Sequence, residues 1–135
     1  MTTATRTVES MGTISDHLHL LTEDRRYLRV NAFRTLTGLS PSEMARTLAV
    51  HRPRVYQNEI ALEKSVGKRI ITLVLAMDLA YELLGESRDK AVVWLMAPNS
   101  AFAGDSPFDV VIRGDGSHVI DFLNVRSGRK AGAAF

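Results

Sequence analysis

Ser40-Pro41-Ser42-Glu43-Met44-Ala45-Arg46-Thr47-Leu48-Ala49-Val50-His51-Arg52-Pro53-Arg54-Val55-Tyr56 is the stretch on which the fold turns. Ser-Pro-Ser-Glu is a capping box with proline at the first helical position, so a helix opens at Pro41. It carries Met44, Ala45 and Leu48 on one face. The pattern breaks between Ala49 and Arg52, and Pro53 suits the first turn of a further helix carrying Val55 and Tyr56. Two short helices joined by a tight turn suggest a helix-turn-helix. Ala45 is small where the second helix would cross the first, and Val55 returns a branched side chain to the shared core. The turn position, usually glycine, is Ala49, and alanine is strained in a left-handed turn. The exposed set on the second helix is then Arg52, Arg54, Gln57 and Asn58, with His51 just before it. Arg, Gln and Asn can form bidentate bonds to base edges. A plain helical core whose polar residues face water would show the same spacing.

Upstream, Leu28, Ala32, Phe33 and Leu36 follow a helical spacing that Gly38 stops. Downstream, an apolar helix is expected from about Val66 to Leu84, ending at Gly85. Ser87 caps a helix carrying Ala91, Val92, Leu95 and Met96, which Pro98 ends. Ser106-Pro107-Phe108-Asp109 opens another, running to about Arg113. Gly114-Asp115-Gly116 is a turn, and Ser117 to Ser127 forms a last helix before Gly128. No run alternates cleanly enough for a strand, Asp109 to Ile112 alone being ambiguous, so the fold class is all-α.

Charge is unevenly placed. Residues 25–69 hold ten basic and three acidic side chains, a net of +7, whereas the whole chain carries +2. A basic segment joined to an acidic remainder suggests two tasks, the first near an anion such as nucleic acid. Lys64, Lys68 and Arg69 are candidate phosphate contacts. The 135 residues leave room for one domain or two small ones sharing a core. Without cysteine there is no disulfide or thiolate metal site, which fits a reducing compartment. Residues 1–20 read as a flexible arm and not a secretory signal. The Ile70 to Leu84 run is too short and too interrupted to cross a bilayer. A cytoplasmic protein is expected.

Catalytic patterns are missing from local spacing. His17 and His19 lack a third metal ligand nearby, and His51 and His118 stand alone. The Gly114–Gly116 turn lacks the Lys-Ser/Thr of a phosphate loop and the acids of a calcium loop. Glu82, Glu86 and Asp89 read as surface charge around a helix break. Neither enzyme activity, nor a metal, nor a cofactor is expected.

From Ala91 the chain reads Ala-Val-Val-Trp-Leu-Met-Ala-Pro-Asn-Ser-Ala-Phe-Ala-Gly-Asp-Ser-Pro-Phe-Asp-Val-Val. In Trp94-Leu95, Pro98-Asn99, Phe102, Gly104, Pro107 and Val110-Val111, continuing through Val119, Leu123, Val125 and Gly128, it resembles the toxin-binding domain of the Xre/MbcA/ParS antitoxins. The resemblance covers about fifty residues. It implies an Xre-like helix-turn-helix module over 21–84 with a long connecting helix, and a small helical toxin-binding domain over 85–135. It further implies a homodimer that binds operator DNA and occludes a RES-domain toxin acting on NAD. The DNA-contact positions are His51, Arg52, Arg54, Gln57, Asn58 and Lys64. By position, toxin contact falls on Trp94, Pro98, Asn99, Phe102, Pro107, Phe108, Arg126, Gly128, Arg129 and Lys130. Here the tail is longer and more basic than the family pattern. The other reading is a stand-alone transcriptional regulator without a toxin partner.

Overall fold

Ser40 and Glu43 behave as their spacing requires. The Glu43 amide donates to Ser40 Oγ at 3.2 Å, and the Ser40 amide donates to Glu43 Oε1 at 2.9 Å. The computed structural model describes residues 20–128 and is mostly helical. The elements in chain order are β1 (Tyr27–Arg29), α1 (Val30–Thr37), α2 (Pro41–Leu48), a 3-10 turn (Arg52–Tyr56) and β2 (Glu59–Ala61). Then follow α3 (Lys64–Leu83), α4 (Arg88–Met96), a short 3-10 turn (Ser100–Phe102), α5 (Pro107–Val110), a wide turn (Val111–Asp115) and α6 (Gly116–Arg126).

Two expectations need correction. β1 and β2 pair antiparallel, Leu28 opposite Ile60, with Tyr27 opposite Ala61 and Arg29 opposite Glu59. Leu28 therefore belongs to a strand, and the helix it was expected to share starts at Val30. Both strands have one buried residue between two exposed ones. Three residues are too few for a period of two to stand out, and the partner lies about thirty positions away. The second correction is the segment after Ala49. It forms only five residues of 3-10 helix in place of an α-helix.

Leu20, placed by its sequence in the expected arm at 1–20, is part of the folded body. Leu20 is 2% exposed, and its carbonyl accepts the Arg29 amide at 2.8 Å, so it belongs to the core. Residues 1–19, with His17 and His19, lie outside the described residues.

The core draws on both halves of the chain. Phe33, Met44, Leu48 and Val55 join Ile70, Leu73, Met77, Leu95 and Leu123 in one buried cluster. Each such side chain contributes about 1.5–3 kcal/mol on burial. α3 is its axis, packing against α4, α6 and the Val111–Asp115 turn. The rings of Phe33 on α1 and Phe108 on α5 lie 6.3 Å apart, so the two halves share one interior. Gly116 lets α6 start against α3: a Cβ there would sit 2.6 Å from Thr72 Cγ2. Gly114, at φ 104°, breaks the run from α5 into α6 where a side chain could not easily follow.

Candidate nucleic-acid interface and partner groove

The N-terminal candidate surface is built on α2 and the turn that follows. Ala49 adopts φ 57° and ψ 45°, the left-handed conformation the spacing demanded of it. Its amide bonds back to the end of α2, and the Val50 amide donates to Ala45 at 3.0 Å. Val55 is fully buried, which pins the 3-10 turn to the core. One guanidinium holds its backbone and a second, its own Arg54, ties it to β2. Arg34 Nη2 on α1 donates to the Val55 carbonyl at 3.3 Å, and Arg54 Nη2 donates to the Ala61 carbonyl at 3.2 Å. Arg34 Nε is buried beneath the turn with no hydrogen-bond partner.

Of the six expected DNA contacts, His51, Arg52, Gln57 and Asn58 are exposed and run along one short turn. Arg54 is half-buried and engaged with β2. Asn58 also has a backbone role, because its carbonyl accepts the Val30 amide at 3.0 Å. Lys64 is exposed at the start of α3, beyond β2. Arg69, a candidate phosphate contact, instead donates to the Ile112 carbonyl at 3.2 Å and packs beside Gly114. Sequence spacing passed over Tyr56, which is 62% exposed.

The C-terminal candidate surface surrounds an open groove of about 510 Å³, bordered by Leu84, Val93, Trp94 and Pro98 and by the charged Asp89 and Lys90. Val93, at 65% exposure, stands on its lip. Trp94 is half-buried. Its ring stacks on Phe122 at 6.1 Å and meets Phe102 edge-on at 6.4 Å, while Phe102 and Phe122 are 5.3 Å apart. Such pairs add about 0.5–1.5 kcal/mol each beyond burial. Arg126 covers the outer ring, its guanidinium carbon 4.2 Å from the Phe122 centroid. Phe122 and Val93 were absent from the expected set, since nothing local marks a phenylalanine on α6 as the neighbour of Trp94.

Several residues in the expected contact set serve the fold. Asn99 Oδ1 accepts the Ala101 amide at 2.9 Å, and the Asn99 carbonyl accepts from Phe102 and Gly104, so this side chain ties the loop after α4. Pro107 is buried, and Phe108 is 4% exposed against Phe33. Pro107 and Phe108 are therefore core residues and not contact residues. Phe102 is buried at 8% and supports Trp94 from within. Pro98, Arg126 and Gly128 are exposed, whereas Arg129 and Lys130 lie outside the described residues.

Next to this surface, Arg113 bonds Asp105 at 2.6 Å and Asp115 at 3.0 Å. The Asp105 carboxylate and then that of Asp115 raise its pKa above the ordinary guanidinium value. Held charged and paired with two carboxylates, Arg113 braces the loop. Among the described residues there is no cluster of potential metal ligands. Among the same residues, no helix is long and apolar enough to cross a membrane.

Compared with protein-family models, curated proteins and solved structures, the chain has no match.

Proposed function

We propose that this chain is an antitoxin of the Xre/MbcA/ParS type, working in the cytoplasm without catalysis of its own. Its C-terminal half binds and occludes a RES-domain toxin that acts on NAD, and its N-terminal half binds the operator of its own operon. The observation that carries the reading is the apolar groove between Val93, Trp94 and Pro98. It is open, lined mainly by carbon, and backed by a rigid aromatic stack, which are the properties of an anchoring pocket for a protein partner. It coincides with the stretch that resembles the toxin-binding domain. Arg126 and Gly128 stand exposed at the end of α6. For the homodimer, the half-buried stripe Ile71, Val74 and Leu75 on α3 offers a seam.

The test is co-expression with the adjacent gene. Full-length protein, a chain ending at Ser127 and a Val93→Arg variant are compared for growth rescue and co-purification. Rescue and co-purification with the full-length chain, lost in Val93→Arg at unchanged melting temperature, support the antitoxin. Rescue lost on truncation assigns the blocking to the tail. An adjacent gene that is harmless and never co-purifies removes the toxin from the account.

A stand-alone regulator is the second reading. The exposed row His51, Arg52, Gln57 and Asn58 favours it, because this row would bind DNA with or without a toxin.

A further inference from the structure

We infer that Tyr56 is a principal contact to duplex DNA on the turn after α2, an inference that rests on the operator-binding part of the proposed function. The argument begins with helical period. In an α-helix of 3.6 residues per turn, the outward set after Pro53 would be Arg54, Gln57 and Asn58. A 3-10 helix has about 3.0 residues per turn, so positions three apart eclipse. The edges of the turn are then Arg52 with Val55, Pro53 with Tyr56, and Arg54 with Gln57. Val55 is fully buried and turns inward, whereas Arg52 at the start of the turn remains exposed. Pro53 and Tyr56 are both exposed, so their edge faces outward, and Tyr56 is the large side chain on it. The turn therefore leaves an aromatic ring 62% exposed, while Arg54 is drawn aside to the Ala61 carbonyl.

Chemistry around the ring selects the partner. His51, Arg52, Gln57 and Asn58 flank it in sequence, all exposed, and Glu59 is the acid beyond them. The Arg52 guanidinium and two amides beside an exposed phenol suit a phosphate–sugar backbone: the ring can lie on a deoxyribose while its hydroxyl donates to a phosphate oxygen. The turn is also held in place by the buried Val55 and by Arg34 on the Val55 carbonyl. Tyr56 thus presents a large contact at low entropic cost, having only two side-chain torsions to fix. A five-residue 3-10 turn is only about 10 Å long. It therefore offers fewer side chains to a groove than an α-helix of ten residues, so each exposed one carries a larger share of the affinity.

The test measures binding of the full chain to a fluorescent duplex of its own upstream region, by anisotropy, at several salt concentrations from about 50 mM upward. Wild type, Tyr56→Ala, Tyr56→Phe and Arg52→Ala are compared, with circular dichroism melting as the check on folding. Tyr56→Ala is expected to weaken binding about tenfold at unchanged melting temperature, the size of one lost contact. Its salt slope stays that of wild type, because phenol releases no counterion; Arg52→Ala reduces the slope by about one. Tyr56→Phe retains the ring contact and loses the smaller hydroxyl part. Wild-type affinity in Tyr56→Ala, with duplex binding intact, overturns this assignment alone. Tighter binding to the single strand than to the duplex overturns the choice of partner. Absence of duplex binding by wild type at the lowest salt overturns the operator-binding reading, and this inference with it.

Discussion

Arg34 on α1 and Val55 on the 3-10 turn are joined by one hydrogen bond, Nη2 to carbonyl oxygen at 3.3 Å. It ties the first helix to the segment that carries the basic and aromatic side chains. Arg34→Met keeps the aliphatic stem and deletes the donors. Removing Nε also removes a buried donor without a partner, so the net cost falls near the low end of the range, about 1 kcal/mol. The amide of Gln57, which donates to Arg54 within the turn, should exchange faster with solvent in this variant. Unchanged exchange at Gln57 would show that Val55 burial alone holds the turn.

Ala49 sits in the left-handed region at φ 57°, where its Cβ crowds the backbone. Ala49→Gly should therefore stabilise the protein by about 1 kcal/mol, the relief of strain exceeding the entropy that glycine adds to the unfolded chain. Chemical denaturation gives the value. A midpoint below that of wild type would contradict the left-handed conformation.

Gly116 meets Thr72 with no space for a methyl group, since the side chain in the way is branched at Cβ. Its hydroxyl is also held by the Lys68 carbonyl at 3.1 Å. Gly116→Ala should cost about 1–3 kcal/mol. The double variant with Thr72→Ser, which removes the clashing methyl, should recover most of it. Additive losses in the double variant would mean that the two residues do not meet.

Acid should weaken the start of α2. The Ser40 backbone N–H, and then its hydroxyl, bond the Glu43 carboxylate and hold its pKa below the ordinary 4.5. A carboxylate depressed on folding contributes stability that is present above pH 4.5 and lost as pH falls through the lower folded value. Glu43→Gln should flatten that part of the acid profile, as read from melting temperatures between about pH 6 and 3. Ser40→Ala should remove the cap at a cost of about 1 kcal/mol. An acid profile for Glu43→Gln that overlays wild type would place the acid sensitivity elsewhere.

Local rules exposed much of this fold. Ser40, Ser87 and Ser106 all cap helices as their spacing implies, with side chains accepting from the residue three positions on. Ala49 and Val55 also take the conformations and burial that a tight turn demands. Legibility ended where the deciding contact lay far along the chain. Leu28 forms a strand because Ile60 pairs with it, and three residues leave no periodic signal. Arg52 to Tyr56 winds as a 3-10 helix because Val55, Arg34 and the return to β2 constrain it, although Pro53 would suit either helix. On the C-terminal surface, Trp94, Phe102 and Pro98 were recognisable as a group. Phe108 was not separable from them, because only the fold reveals Phe33 against its ring.

The contact between Phe33 and Phe108 bears on how such a chain could be recombined. A protein whose two tasks sit in separable blocks can exchange one block by recombination near a boundary such as Gly85. Here a foreign C-terminal half would arrive without the α1 side chain shaped to its own aromatic ring. Hybrids cut at Gly85 should melt lower than hybrids in which residue 33 is transplanted along with the new half. Divergence of the C-terminal half around Phe108 is then constrained by a residue more than fifty positions upstream, on the opposite side of the break.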